Sequence, residues 1–218
     1  MNPRAPINPR NLITWLGLLF GAFALGLQFT LSMQSMLGSG RDLPGALGNF
    51  FSYYTILTNA VLVLIYLSSI WPADALQLFR QPVLRATMAA SIALVTLFVF
   101  FVLRYQYAFS GLFLIADNLL HYLCPLLYLL WWLTAQPHGA LRWANLPIML
   151  APTFVYFLYA MARGAWVQEY PYPILDAIEL GYPQVLLNAV YMTAGLAVLS
   201  LIVIALDGSL ARPSRTIS

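Results

Sequence analysis

Six apolar stretches, each near twenty residues long, limit what this chain can fold into; they run roughly over 11–33, 46–71, 84–109, 113–135, 143–163 and 184–206. A helix rises about 1.5 Å per residue, so about twenty apolar residues cross the ~30 Å hydrocarbon core of a bilayer. Backbone polar groups in that medium must be satisfied within the segment, which a helix achieves and a lone strand does not. The connections are too short for a soluble domain. The expected fold class is therefore all-α: a polytopic membrane protein, with residues 1–218 forming a single six-transmembrane-helix bundle. Composition agrees, since 61% of residues are hydrophobic, only 8% are charged and mean hydropathy is +0.79, far from a soluble globular chain.

The basic residues orient such a bundle. All ten are arginine. If the spans alternate, Arg4, Arg10, Arg80, Arg85, Arg142, Arg212 and Arg215 share one side, and Arg41, Arg104 and Arg163 the other. The excess marks the cytoplasmic side and predicts that both termini lie there. The sequence pI of about 9.1 then reflects orientation; no basic patch with interleaved aromatics suits nucleic acid. The first apolar run is long and no small-x-small cleavage site follows Met33, so it reads as a retained span rather than a signal peptide. Abundant Arg, Ala and Pro without lysine suggest a GC-rich bacterial genome, and hence a bacterial cytoplasmic membrane. Cys124 is the one cysteine; it allows no intramolecular disulfide and reads as a small buried hydrophobe.

Against this background His121 and Asp117 stand out. Ionisable side chains within a span are expensive and are functional candidates by default. Their i, i+4 spacing places both on one helix face. A neutral imidazole can act as base or acid near pH 7, and a neighbouring carboxylate can orient it. The alternative is a buried pair that only holds helices together. Pro125 has no N–H, so the carbonyl of His121 loses its helical partner and the helix is expected to bend there. Pro147 and Pro152 are expected to loosen the fifth span.

Polar residues collect in one half of the membrane, at the starts of spans two, four and six and the ends of spans three and five. Ser52, Thr55 and Asn59 share a face at i, i+3, i+7. Arg104 ends span three; Asp117, Asn118 and His121 open span four; Tyr156, Tyr159 and Arg163 end span five; Gln184 and Asn188 open span six. Snorkelling near helix ends accounts for Arg104 and Arg163. It does not account for Thr55 and His121, each about eight residues into its span and so ~12 Å deep. Their matching depth predicts a meeting across a helix–helix contact, in a polar cavity bounded by spans two, four and six and open to the outer face. Trp131 and Trp132 read as an interfacial belt at the other end. The Trp166–Asp176 loop contains Tyr-Pro-Tyr-Pro, which disfavours regular helix; it reads as a lid over the cavity or as an interfacial anchor.

Taken in order, the Tyr54-Thr55 region, the His121 region, the aromatic end of span five and the Trp166…Tyr-Pro-Tyr-Pro-Ile-Leu-Asp176 loop resemble the androgen-induced transmembrane hydrolase family, in its bacterial six-helix branch. The resemblance runs from about Phe50 to Leu206. It implies an intramembrane threonine hydrolase of fatty acid esters of hydroxy fatty acids, with Thr55 as nucleophile and His121 as base. The string Tyr53-Tyr54-Thr55-Ile56-Leu57-Thr58-Asn59 offers Thr58 as a second candidate; Thr55 fits the flanking aromatics better. The paired histidine of the animal relatives is here single. In this scheme Asp117 orients the imidazole, and Asn59, Asn118 or Arg104 stabilises the oxyanion, with Ser52 on the Thr55 face. Tyr170, Tyr172, Asp176 and Asn188 are the expected lid and substrate contacts, and the partner is a membrane lipid or acyl ester. No G-x-S-x-G, H-E-x-x-H or P-loop string occurs. One intramembrane histidine and one nearby aspartate do not make a metal site, and no cofactor is expected. Two other readings use the same residues: a membrane carrier or small-molecule or lipid-binding protein with the same outer-leaflet cavity, and a structural protein whose polar groups only join helices. The lack of a convincing internal repeat weighs against a transporter.

Overall fold

A computed structural model describes residues 9–106 and 108–211, and every regular element among them is helical. Helix α1 spans Pro9–Gly38, α2 Leu43–Phe50, α3 Tyr54–Ile70, α4 Pro82–Phe101, α5 Gly111–Asn118, α6 Cys124–Ala135, α7 Leu146–Val167 and α8 Ala177–Ser209. By length and hydropathy, five segments can cross a membrane: α1, α4 with the turn after it, α5–α6, α7 and α8; α2 with α3 makes a sixth if that bent pair is one span. Arg4, Arg212 and Arg215, three of the seven arginines on the expected cytoplasmic side, lie outside the described residues.

Span two is not the unbroken helix expected over 46–71. Asp42 caps α2 by accepting from the Gly45 N–H at 3.1 Å, with Pro44 in the first turn. The helix then stops at Phe50. The Ser52 hydroxyl donates to the Asn49 carbonyl at 2.6 Å, while Tyr156 from α7 donates to the Ser52 carbonyl at 2.9 Å. Side chains thus satisfy groups that the helical ladder would have used. Helix α3 restarts at Tyr54, bent 75° from α2.

Span four is broken more gently. Residues Leu119–Leu123, between α5 and α6, form a π-helical turn. The expected consequence of Pro125 is visible as a local change of register. The His121 carbonyl, whose α-helical partner would be the N–H that Pro125 lacks, accepts from Thr96 Oγ1 of α4 at 3.0 Å, and the Leu120 carbonyl accepts from Asn59 Nδ2 of α3 at 3.2 Å. A π-turn held by polar groups of two neighbouring helices is costly to build and recurs at functional sites. Pro147 and Pro152 do not interrupt α7, where Pro147 lies in the first turn. In α8, Gly181 takes φ 73°, ψ 153° just before Pro183 and kinks the chain; a positive φ of this kind favours glycine.

Helix α4 lies at the centre, packed against α3, α6, α7 and α8. Half of its apolar window is buried, more than in any other long helix. Fully buried Ala86, Ala89, Ala90 and Ser91 let neighbouring backbones approach closely, the usual means of packing helices in lipid. Around it lie Ile65 and Tyr66 of α3, Tyr128 of α6, Met149 of α7 and Leu196 of α8. Trp131 and Trp132 belong to this core, each 2% exposed, and not to an interfacial belt. Trp131 Nε1 donates to Thr14 of α1 at 2.9 Å, and Trp132 packs edge-on against His138. The exterior is apolar: Phe101, Leu126, Phe154, Val155 and Val190 are exposed, as in a bundle that faces lipid.

Candidate functional site

The break before α3 leaves Thr55 in the first turn of that helix. The π-turn re-aims His121 toward it. The two side chains meet, with His121 Nε2 3.2 Å from Thr55 Oγ1. His121 Nδ1 is 2.8 Å from Asp117 Oδ1 and 3.1 Å from the Asp117 backbone carbonyl. A carbonyl can only accept, so Nδ1 carries the ring proton and Nε2 is left to accept from the threonine hydroxyl. Asp117, His121 and Thr55 therefore form one directed run of hydrogen bonds, and both ionisable side chains are mostly buried.

Tyr172 completes the run from the loop between α7 and α8. Its hydroxyl lies 3.3 Å from Thr55 Oγ1 and accepts from the Thr55 N–H at 3.3 Å. That N–H is one of the first-turn donors for which a helix supplies no partner. Burial pushes the Tyr172 hydroxyl up to about 12, which keeps it a donor at neutral pH. Tyr53 packs edge-on against its ring.

The other expected contributors fall elsewhere. Thr58 Oγ1 donates to the Tyr54 and Thr55 carbonyls at 2.9 and 3.1 Å. Asn59 Nδ2 donates to the Thr55 and Leu120 carbonyls, so its N–H groups are committed to joining α3 to the π-turn. Ser52 precedes α3 and so does not share a helical face with Thr55; its hydroxyl closes α2. Asn118 is exposed, donates to the Leu114 carbonyl at 2.9 Å and lines the cavity beside His121, as does Arg104. In the loop, Tyr170 packs its ring on Gly164 of α7, where any Cβ would collide with it. Asp176 caps α8 by accepting from the Ile178 and Glu179 N–H groups. Asn188 Nδ2 donates to the Ile174 carbonyl at 2.9 Å and so fastens the loop to α8. Of these four expected lid residues, Tyr172 alone reaches Thr55.

Glu169 was missed by sequence reasoning. Its carboxylate takes a bidentate pair from Arg41 at 2.8 and 2.9 Å and a third bond from Asn49 at 3.1 Å, with Arg163 Nη2 at 3.5 Å. These bonds tie the Tyr172 loop to α2, α7 and the α1–α2 turn. The hydrogen bonds from Arg41 hold the Glu169 carboxyl below its usual range despite partial burial. Arg41, Arg163 and Glu169 are charged residues at the same expected end, so their mutual pairing was the available signal.

The single expected cavity is two adjoining chambers that share Thr55, Val99, Leu103 and Tyr172. One, about 630 Å³, lies among α3, α4, α7 and α8 and is almost wholly apolar. The other, about 550 Å³, lies among α1, α2, α3 and α5 and carries Gln28, Ser32, Asn49, Arg104, Asp117 and His121. Span six borders the apolar chamber, not the polar one. Among the described residues no three His, Cys, Asp or Glu side chains group together. No protein-family model, curated protein or solved structure matches the chain.

Proposed function

We propose that this chain is an intramembrane hydrolase of lipid esters in which Thr55 is the nucleophile and His121 the general base. The observation that carries the reading is the run Asp117 Oδ1–His121 Nδ1, His121 Nε2–Thr55 Oγ1, at 2.8 and 3.2 Å. A threonine hydroxyl is a weak nucleophile unless a base removes its proton as it attacks. Thr55 Oγ1 adds to the ester carbonyl carbon while its proton passes to His121 Nε2. The resulting oxyanion accepts from the Thr55 N–H and the Tyr172 hydroxyl. Collapse breaks the bond to the alcohol oxygen, which takes the proton from Nε2. Water then attacks the acyl-threonine with the same base, releasing the acid and restoring the hydroxyl. Asp117 holds the imidazole in the required tautomer throughout.

The resemblance to the androgen-induced hydrolase family supplies a first substrate class, fatty acid esters of hydroxy fatty acids. The apolar exterior and the arginine distribution support a multi-pass protein of a bacterial cytoplasmic membrane with both termini inside; a reporter fused after Ser218 and found outside would reverse that orientation. The function is tested by ester turnover on purified protein. Thr55→Ala and His121→Ala are each expected to lose orders of magnitude in kcat, because the two groups act as one unit. Asp117→Asn should lose less. Full activity in His121→Ala would sink the mechanism; no ester turnover by the wild-type protein would leave a lipid-binding or carrier role ahead.

A further inference from the structure

Tyr172 reaches Thr55 from a loop, and its contacts there are long. Its hydroxyl is 3.3 Å from both the Thr55 backbone nitrogen and Thr55 Oγ1, at the outer limit of hydrogen bonding. A small outward displacement would break both bonds, so the loop has to be held. Its backbone shows where. Gln168 follows α7 with φ 57° and turns the chain into Glu169. The Tyr170 ring packs on Gly164. Pro171 and Pro173 flank Tyr172, and each ring fixes its own φ. The stretch from Glu169 to Pro173 therefore has few ways to relax, and the placement of Glu169 is passed on to Tyr172. On the far side the Leu175 N–H donates to the Tyr172 carbonyl at 2.9 Å, and Asn188 holds the Ile174 carbonyl.

Glu169 is the point at which this stretch is tied down. Arg41 grips its carboxylate with two bonds, Asn49 adds a third, and Arg163 Nη1 donates to its backbone carbonyl at 3.1 Å. A bidentate arginine–carboxylate pair fixes direction as well as distance. Arg41 and Glu169 line neither chamber, so neither is placed to touch a substrate held there. We propose that Glu169 is a positioning residue: paired with Arg41, it holds the loop so that the Tyr172 hydroxyl stays beside Thr55 and meets the oxyanion formed there. This role rests on the hydrolase reading and adds to it a charged pair outside both chambers. The competing role is a part-exposed ion pair that serves only the fold.

A double-mutant cycle separates the two roles. Wild type, Glu169→Gln, Tyr172→Phe and the double variant, each as purified full-length protein in detergent, are given monopalmitoylglycerol. Glu169→Gln keeps the size of the side chain and breaks the fork. It should lower kcat about tenfold with KM within about twofold, since misplacing a catalytic group by about 1 Å costs up to about a hundredfold. In Tyr172→Phe the same substitution should cost less than about twofold in kcat, because the group it positions is gone. Arg41→Gln should repeat this pattern, and it takes the place of Glu169→Gln if that variant fails to fold. Arg41→Lys keeps the charge without the fork and should retain more kcat than Arg41→Gln. An equal fall in kcat in both backgrounds, as loss of folded protein would give, overturns the proposal. So does an unchanged kcat or a change in KM alone. A fluorophosphonate probe separates this result from failure of the hydrolase reading. If Thr55 is labelled but the ester is not cleaved, labelling rates of the same four proteins are compared instead of kcat. Labelled Thr55 with the wrong cycle removes only the positioning role; neither labelling nor cleavage by wild type removes the hydrolase reading and the role with it.

Discussion

Thr55 depends on its neighbours for any reactivity, and each neighbour does a different job. In the proposed mechanism His121 accepts its proton, Asp117 sets the imidazole tautomer, and Tyr172 sits where negative charge would develop. Tyr172→Phe removes one hydroxyl and little packing. It is expected to lower kcat by about a hundredfold with little change in KM, the usual cost of losing one oxyanion donor. Steady-state kinetics on a single ester would decide it; an unchanged kcat would leave the Thr55 N–H without this partner in the mechanism. Thr58→Ala serves as the contrast, because the Thr58 hydroxyl is spent on two carbonyls of its own helix. It should retain turnover and lose about 1 kcal/mol of stability or less. At this scale the sequence was informative where spacing decides geometry. His121 and Asp117 at i, i+4 do meet, and Thr55 and His121 approach to 3.2 Å. Spacing could not tell which donors were already engaged: Asn59 has the right position and no free N–H for the role expected of it.

The elements show why the rest was hidden. Hydropathy reads residues 46–71 as one apolar run, because Phe51, Ser52 and Tyr53 do not lower its mean enough to mark an end. The break depends on tertiary bonds, chiefly Tyr156 to the Ser52 carbonyl, which a local pattern does not encode. Yet the break places Thr55 in a first turn with a spare N–H. The π-turn is similar: Pro125 announced a lost bond, but Thr96 as the replacement donor came from another helix. The loop carrying Tyr172 is held by Glu169, which gives this element a pH dependence. Hydrogen bonds from Arg41 lower the Glu169 pKa in the folded state. A depressed carboxylate pKa adds stability that is complete above the ordinary glutamate value, about pH 4.3, and is lost as pH falls through the lower folded value. Both partners are about one-third exposed, so this amounts to about 1 kcal/mol or less. Thermal midpoints between pH 3 and 7 should fall more steeply on the acid side for wild type than for Glu169→Gln. Parallel curves would mean that the cluster is energetically idle.

Across the whole molecule, polar groups concentrate at two ends with different tasks. The Thr55 end holds two chambers and a loop. The opposite end is closed by Asp207 of α8, 3% exposed, which accepts from the Gly139 and Leu141 N–H groups at 3.0 and 2.8 Å and bonds His138 at 3.1 Å. His138 Nε2 lies 3.2 Å from the Leu133 carbonyl, so α6, α8 and the segment before α7 are pinned together. Asp207→Ala leaves three part-buried donors without this acceptor and should cost about 1–3 kcal/mol. The thermal midpoint should drop accordingly, while fluorophosphonate labelling of Thr55 at low temperature continues at the wild-type rate. Loss of labelling at unchanged stability would instead couple the two ends. Helical class, and helices long and apolar enough to cross a membrane, were legible from the apolar runs alone. The division of one cavity into two was not, because Tyr172 reaches Thr55 from a loop more than a hundred residues away in sequence.

In the proposed mechanism Thr55 carries the acyl group during turnover. Protein mixed with an ester labelled in its acyl chain, acid-quenched within the first turnover and digested, reads this directly by mass spectrometry. The acyl mass is expected on Thr55 in wild type and on no residue in Thr55→Ala. Acylation of Thr58 or Ser52, or an acyl adduct that persists in Thr55→Ala, would contradict it.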